Sequence, residues 1–184
     1  MHLSDSKREN VFFSIVFLVF YIISASVVPY LGVRMEFLSF GNAVTQSTVQ
    51  PDLIFALVLC TAILHSSRRA VILGIIFGFI IDVTCGVPLL SSICYCICGH
   101  YASSMSRSFS GHGAINAVLV AAPLLLTRLA VSMFYLLATW HSLSFAEIMM
   151  GAVIPEYIYN LVVVLITYPI LQWLMRLFKI EALV

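Results

Sequence analysis

The amino-acid sequence predicts an all-α integral membrane protein, a single domain (residues 1–184) folded as a bundle of six transmembrane helices. Three observations carry that reading. Of 184 residues, 62% are hydrophobic and only 9% charged, and the mean hydropathy is +1.09, a balance outside that of soluble domains. Apolar runs recur along the whole chain with short polar breaks between them. The basic residues gather on alternate breaks, as they do when a chain crosses a membrane repeatedly. Each span needs roughly 20 apolar residues, so the length admits about six, with no room for a soluble catalytic domain. A net charge of +1 gives no ground for a nucleic-acid partner.

Span one is expected at about 11–30, after a polar leader holding Lys7 and Arg8. Ser24-Ala25-Ser26 imitates a cleavage site, but the run is longer than a signal-peptide core and many spans follow it. Span two, at about 52–65, opens on Pro51-Asp52 and ends at the polar knot His65-Ser66-Ser67-Arg68-Arg69. Proline suits a helix start because its missing N–H costs nothing there, and Asp52 complements the positive end of the helix dipole. Spans three and four are expected at about 70–85 and 88–103, and five and six at about 113–139 and 148–178. The last two exceed what the hydrocarbon requires, with Pro123, Pro155 and Pro169 as candidate kinks.

With six spans, one set of breaks holds Lys7, Arg8, Arg68, Arg69, Arg107, Arg176 and Lys179, and the other only Arg34. The more basic side is the cytoplasmic one, which puts both termini there. The outer segment 31–50 is the longest connection, and its Met, Phe and Leu content places part of it on the outer membrane face. Trp140 sits where an interfacial aromatic anchor belongs.

Three ionisable residues fall inside spans: Asp82, Arg128 and Glu156. An isolated charge at the bilayer centre costs at least about 2.5 to 3.5 kcal/mol, so each needs a partner. Counting from the inner ends of spans three and five puts Asp82 and Arg128 roughly 20 Å along, and Glu156 falls roughly 12 Å below the outer surface. All three then share the outer half of a core about 30 Å thick. The expectation is an intramembrane charge cluster in which Arg128 bridges Asp82 and Glu156, since guanidinium suits fork-like pairing with carboxylates. Its bland role is to fix helix order; its active role would be transport or catalysis.

Gly74, Gly78 and Asp82 are spaced by four and share a helical face, and the two glycines permit close backbone approach. Span three is therefore expected to be a central packing helix, with Gly86 and Pro88 forming its outer turn. Glu156 and Asn160 make a polar stripe on span six. Cys94, Cys96 and Cys98 alternate on span four, which points them to different sides of a helix and argues for apolar filler over a metal site. Cys60 and Cys85 offer no paired context, and His65, His100 and His112 lie at or near cytoplasmic ends as solvated or interfacial polar groups. Ser91 and Ser92 lack the Gly-x-Ser-x-Gly elbow of a nucleophile. No enzyme, metal or cofactor is expected.

Residues 51–89, PDLIFALVLCTAILHSSRRAVILGIIFGFIIDVTCGVPL, resemble the core of the bacterial rod shape-determining MreD family. The matching positions are Pro51, Asp52, Gly74, Gly78, Asp82 and Gly86. Residues 154–178, IPEYIYNLVVVLITYPILQWLMRLF, resemble the family's last span through Pro155 and Asn160. One departure is Leu89-Leu90-Ser91 after Pro88, where the family commonly continues Leu-Gly. The resemblance implies a six-helix fold similar to the substrate-binding subunits of energy-coupling factor transporters. It also implies a non-enzymatic scaffold of the elongation machinery (elongasome) in the bacterial plasma membrane, serving cell shape and lateral peptidoglycan synthesis. The implied partners are MreC directly, the filament MreB, the polymerase RodA with its transpeptidase, and membrane lipids. The alternative is a vitamin-binding subunit of such an importer, whose span one typically carries an Ala-xxx-Ala motif; span one here has no such pair.

Overall fold

The computed structural model of the chain describes residues 2–27, 33–38, 44–49, 51–85, 89–108, 113–139, 145, 149 and 153–180. They form six helices: α1 (His2–Ser26), α2 (Leu53–Leu64), α3 (Ser67–Cys85), α4 (Leu90–Ser108), α5 (Ala114–Thr139) and α6 (Ile154–Leu177). Two strands, β1 (Val33–Leu38) and β2 (Val44–Val49), lie between α1 and α2. Pro123 and Pro169 lie inside α5 and α6, which run through them as single helices, whereas Pro155 sits in the first turn of α6 and is a start signal rather than a kink.

The long connection between α1 and α2 contains regular structure that the sequence reading did not anticipate. β1 and β2 form an antiparallel hairpin in the register Val33↔Val49 through Leu38↔Val44. Valine, threonine and phenylalanine in VRMEFL and VTQSTV favour extended backbone. An isolated two-stranded ribbon is marginal, and here β2 packs against α6.

Helix direction alternates along the chain. At one end Glu9 of α1 meets Arg69 of α3 and His65, the residue that closes α2. Arg8 reaches the Phe178 carbonyl at the end of α6 from the same place. At the other end lie Asp52, which opens α2, and the first turn of α6.

The centre of the bundle is α2, and the glycine-bearing α3 packs closely against it and against α4. Helix α2 contacts each of the five other helices, and Ile54 through Leu64 are all buried. The reason lies in its sequence, LIFALVLCTAIL, which is apolar on every face and so has no side to turn toward a polar phase. At 12 residues it is about 18 Å long, short of a hydrocarbon core of about 30 Å.

The exterior is as apolar as the core. Ile15, Leu18 and Ile22 on α1, Phe79 and Val83 on α3, and Ile158, Ile166 and Trp173 on α6 all face outward. Soluble monomers do not expose apolar patches of this extent. Among the described residues, three helical stretches, 6–26, 114–131 and 154–177, are long and apolar enough to cross a membrane, with mean hydropathies of 1.8, 1.9 and 1.7.

In lipid, burying leucine against leucine adds little, so helix association depends on close packing and on polar pairs. The glycines supply the first. A Cβ on Gly78 would stand 2.8 Å from Ser92 Cα and 2.9 Å from its nitrogen, and one on Gly74 would stand 3.2 Å from Tyr95 Cβ. These two positions bring the backbones of α3 and α4 together. Further along the same contact, Gly99 of α4 admits Val58 of α2, to which a Cβ would approach within 3.1 Å.

Candidate functional site: an interhelical ion-pair network

Asp52, Tyr95, Arg128, Glu156 and Asn160 come from four helices and converge at one end of the bundle. Arg128, near the middle of α5, forms the hub. Its Nη2 lies 2.6 Å from Asp52 Oδ2 and its Nη1 3.1 Å from Glu156 Oε1. The guanidinium carbon stands 5.3 Å above the buried Phe55 ring, so the cation is also held by a π face.

Asp52 is the most connected acid. Its Oδ1 accepts the Phe55 backbone N–H at 2.9 Å and caps α2, while its Oδ2 accepts both Arg128 and the Tyr95 hydroxyl at 2.7 Å. Its own backbone N–H donates to Asn160 Oδ1 at 2.7 Å. Asn160 in turn donates through Nδ2 to the Glu156 carbonyl at 3.0 Å. Exposure of the side chains grades from 11% at Asp52 and 16% at Arg128 to 28% at Glu156, so the network is sealed on the α2 side and opens slightly at α6.

This corrects the expected cluster. Arg128 does pair with Glu156, but its second carboxylate is Asp52 rather than Asp82. Asp82 is 2% exposed and turned to α4, where its Oδ1 accepts the Ser91 N–H at 3.0 Å and its Oδ2 the Ser92 N–H at 2.9 Å and the Ser92 hydroxyl at 2.7 Å. The first N–H groups of a helix have no internal acceptor, and Leu89, which precedes α4 with φ of 32°, has no side-chain acceptor to offer. A carboxylate from the neighbouring helix supplies it. The close approach at Gly78, one turn before Asp82, is what brings that helix start within reach.

A common logic follows for the three acids. Asp52 opens α2, Glu156 lies in the first turn of α6, and Asp82 caps α4. Each carboxylate complements the positive end of a helix dipole, and two of them share the one guanidinium. Among the described residues α6 begins at Ile154, which puts Glu156 close to its helix start. Sequence reasoning had Asp52 in hand as a helix opener but not as an ion-pair partner. The signal that would have found it is the shortness of span two, which lowers its polar start into the bundle.

The remaining candidates separate. Ser91 and Ser92 are committed to Asp82. Cys94 and Cys98 face the core while Cys96 is half-buried, and both Cys60 and these three are free thiols. Among the described residues no three His, Cys, Asp or Glu side chains are grouped to hold a metal. Gly86 and Pro88, Trp140 and His112 lie outside the described residues, as does the Cys85 side chain.

A second polar cluster sits at the opposite end. Arg69 pairs with Glu9, donates from Nε to Asn10 Oδ1 at 3.0 Å, and places Nη1 2.7 Å from His65 Nε2, while Glu9 lies 3.7 Å from that ring. Burial, then the Arg69 charge, lower the His65 pKa below 6.5, with Glu9 opposing them. His65 is therefore neutral in the folded protein at pH 7.

Both clusters join helices to one another through matched charges. Comparison of the chain with family models, with curated proteins and with solved structures finds no match in any of the three.

Proposed function

We propose that the chain is a six-span protein of the bacterial plasma membrane, with both termini cytoplasmic, acting as a non-enzymatic scaffold of the elongasome. In this reading it binds MreC within or beside the membrane and links lateral peptidoglycan synthesis by RodA and its transpeptidase to the MreB filament. The orientation rests on the basic residues Lys7, Arg8, Arg68, Arg69, Arg107, Arg176 and Lys179 at one end of the bundle.

The observation that carries the scaffold reading is the closure of the Arg128 network. The guanidinium takes both of its carboxylates from the bundle, and Asp52 is filled by Arg128, Tyr95 and the α2 N-terminus. Polar groups satisfied by one another lock helix order and favour a rigid platform over a ligand pocket. The apolar exterior is then available to partner helices. The alternative, a vitamin-binding subunit of an energy-coupling importer, draws on the 28% exposure of Glu156.

Depletion in the native bacterium separates the two. Rods that round into spheres are the expected outcome. Unchanged shape together with a new vitamin requirement would overturn the scaffold and favour the importer.

A further inference from the structure

A groove of about 380 Å³ runs between α1 and the end of α6, walled by Val11, Ile15 and Val19 on one side and Leu174 and Phe178 on the other, with Arg8 at its mouth. We infer that this groove binds one acyl chain of an anionic phospholipid, whose phosphate lies on Arg8 and the adjacent basic residues. The inference is independent of the scaffold role and requires only that the bundle is embedded in a bilayer.

Charge complementarity selects the occupant. Arg8 lines the groove, and Lys7 beside it on α1 and Arg176 and Lys179 at the end of α6 are, like it, exposed. Glu9, the acid on the next α1 position, is turned away to Arg69. Arg8 is also positioned: its Nη2 donates to the Phe178 carbonyl, and among the described residues its bonds run through Nη2 alone. An arginine fixed by one nitrogen at the mouth of an apolar slot presents the rest of its fork to an anion.

Depth separates a lipid tail from a partner's transmembrane helix. From Arg8 to Phe20 the α1 wall of the groove extends about 18 Å. That is close to one leaflet of a hydrocarbon core about 30 Å thick, whereas a helix would need a surface running the full depth. The larger groove on α3 and α4, lined by Ile75, Phe79, Ile93 and Ile97, has no basic residue among its walls and does not make the same selection.

The test uses the full chain in mild detergent, stripped of lipid and titrated with phosphatidylglycerol or phosphatidylcholine of identical acyl chains, with bound lipid counted by native mass spectrometry. The first phosphatidylglycerol is expected to bind roughly 25-fold tighter than phosphatidylcholine, the contribution of two basic groups near a membrane surface. Arg8→Gln with Lys179→Gln removes that preference. Ile15→Trp, which fills the groove and leaves the charges in place, weakens both lipids alike. Should the charge variant fail to fold, because Arg8 also holds the end of α6, Ile15→Trp decides the matter on the native charges. Equal binding of the two lipids overturns the inference. So does loss of phosphatidylglycerol in Ile97→Trp with none in Ile15→Trp, or a co-purified protein helix that excludes the lipid from the α1–α6 groove.

Discussion

Arg128 Nη2 and Asp52 Oδ2 are 2.6 Å apart, joining the middle of α5 to the N-cap of α2, the most buried helix in the bundle. The pair is worth little by comparison with a well-packed apolar substitute, but breaking one side leaves an uncompensated charge in a dry site. Arg128→Ala is therefore expected to destabilise the protein by about 3–5 kcal/mol, measured by thermal unfolding in detergent. The neutral triple variant Asp52→Asn, Arg128→Met, Glu156→Gln should recover at least about 1 kcal/mol of that loss. A triple variant less stable than Arg128→Ala would remove the basis for the network.

Asp82 belongs to a separate device and should behave so. Asp82→Ala leaves the Ser91 and Ser92 N–H groups without their acceptor, at a cost of about 1.5–3 kcal/mol. In a double-mutant cycle its effect should add to that of Arg128→Ala within about 0.5 kcal/mol, whereas Asp52 and Arg128 should couple by more than about 1 kcal/mol. Strong coupling between Asp82 and Arg128 would restore the pairing the structure replaces.

The two α3 glycines should differ in tolerance. Gly78→Ala drives a methyl to 2.8 Å from backbone atoms of Ser92, which cannot rotate away, so a loss of about 1–3 kcal/mol and a weakened Asp82 cap are expected. Gly74→Ala meets side-chain atoms of Tyr95 and Val58 at 3.2 Å and should be milder. Paired cysteines across α3 and α4, scored by cross-linking yield in each background, would report the separation directly.

His65 makes stability depend on pH. Its folded pKa lies below 6.5, so the unfolded chain takes up the proton first. The neutral ring contributes stability that is complete above about pH 6.5 and is lost as pH falls through the folded value. Melting temperature should therefore drop between pH 7.5 and 5.5 in the native chain and drop less in His65→Gln. Parallel pH profiles for the two proteins would show that other groups govern acid sensitivity.

The charged level illustrates how much was legible from residues alone. Counting 1.5 Å per residue brought Arg128 and Glu156 to one depth, and the structure joins them at 3.1 Å. The same count promoted Asp82, since rise along an axis gives a level but no azimuth. On α3 the Gly74, Gly78, Asp82 face turns to α4, and the acid goes with it. Asp52 is not evident as a partner for Arg128 from sequence, where it opens span two at the end of the hydrocarbon. A helix of 12 residues need not begin there when its neighbours shield it.

Composition, periodicity and charge placement by themselves determined a helical chain with an apolar exterior, the approximate limits of six helices, and the need of Arg128 for acidic partners. These follow from local rules: side-chain hydropathy, helix rise and the cost of an unpaired charge. Only the tertiary structure decided that α2 is the hub, that 33–38 and 44–49 pair as a hairpin, and that Asp52 rather than Asp82 holds the arginine. The first and last of those depend on which face one helix turns toward another, and that is set by backbone approach at glycines such as Gly78 and by orphan N–H groups at helix starts, neither of which is encoded in any single segment.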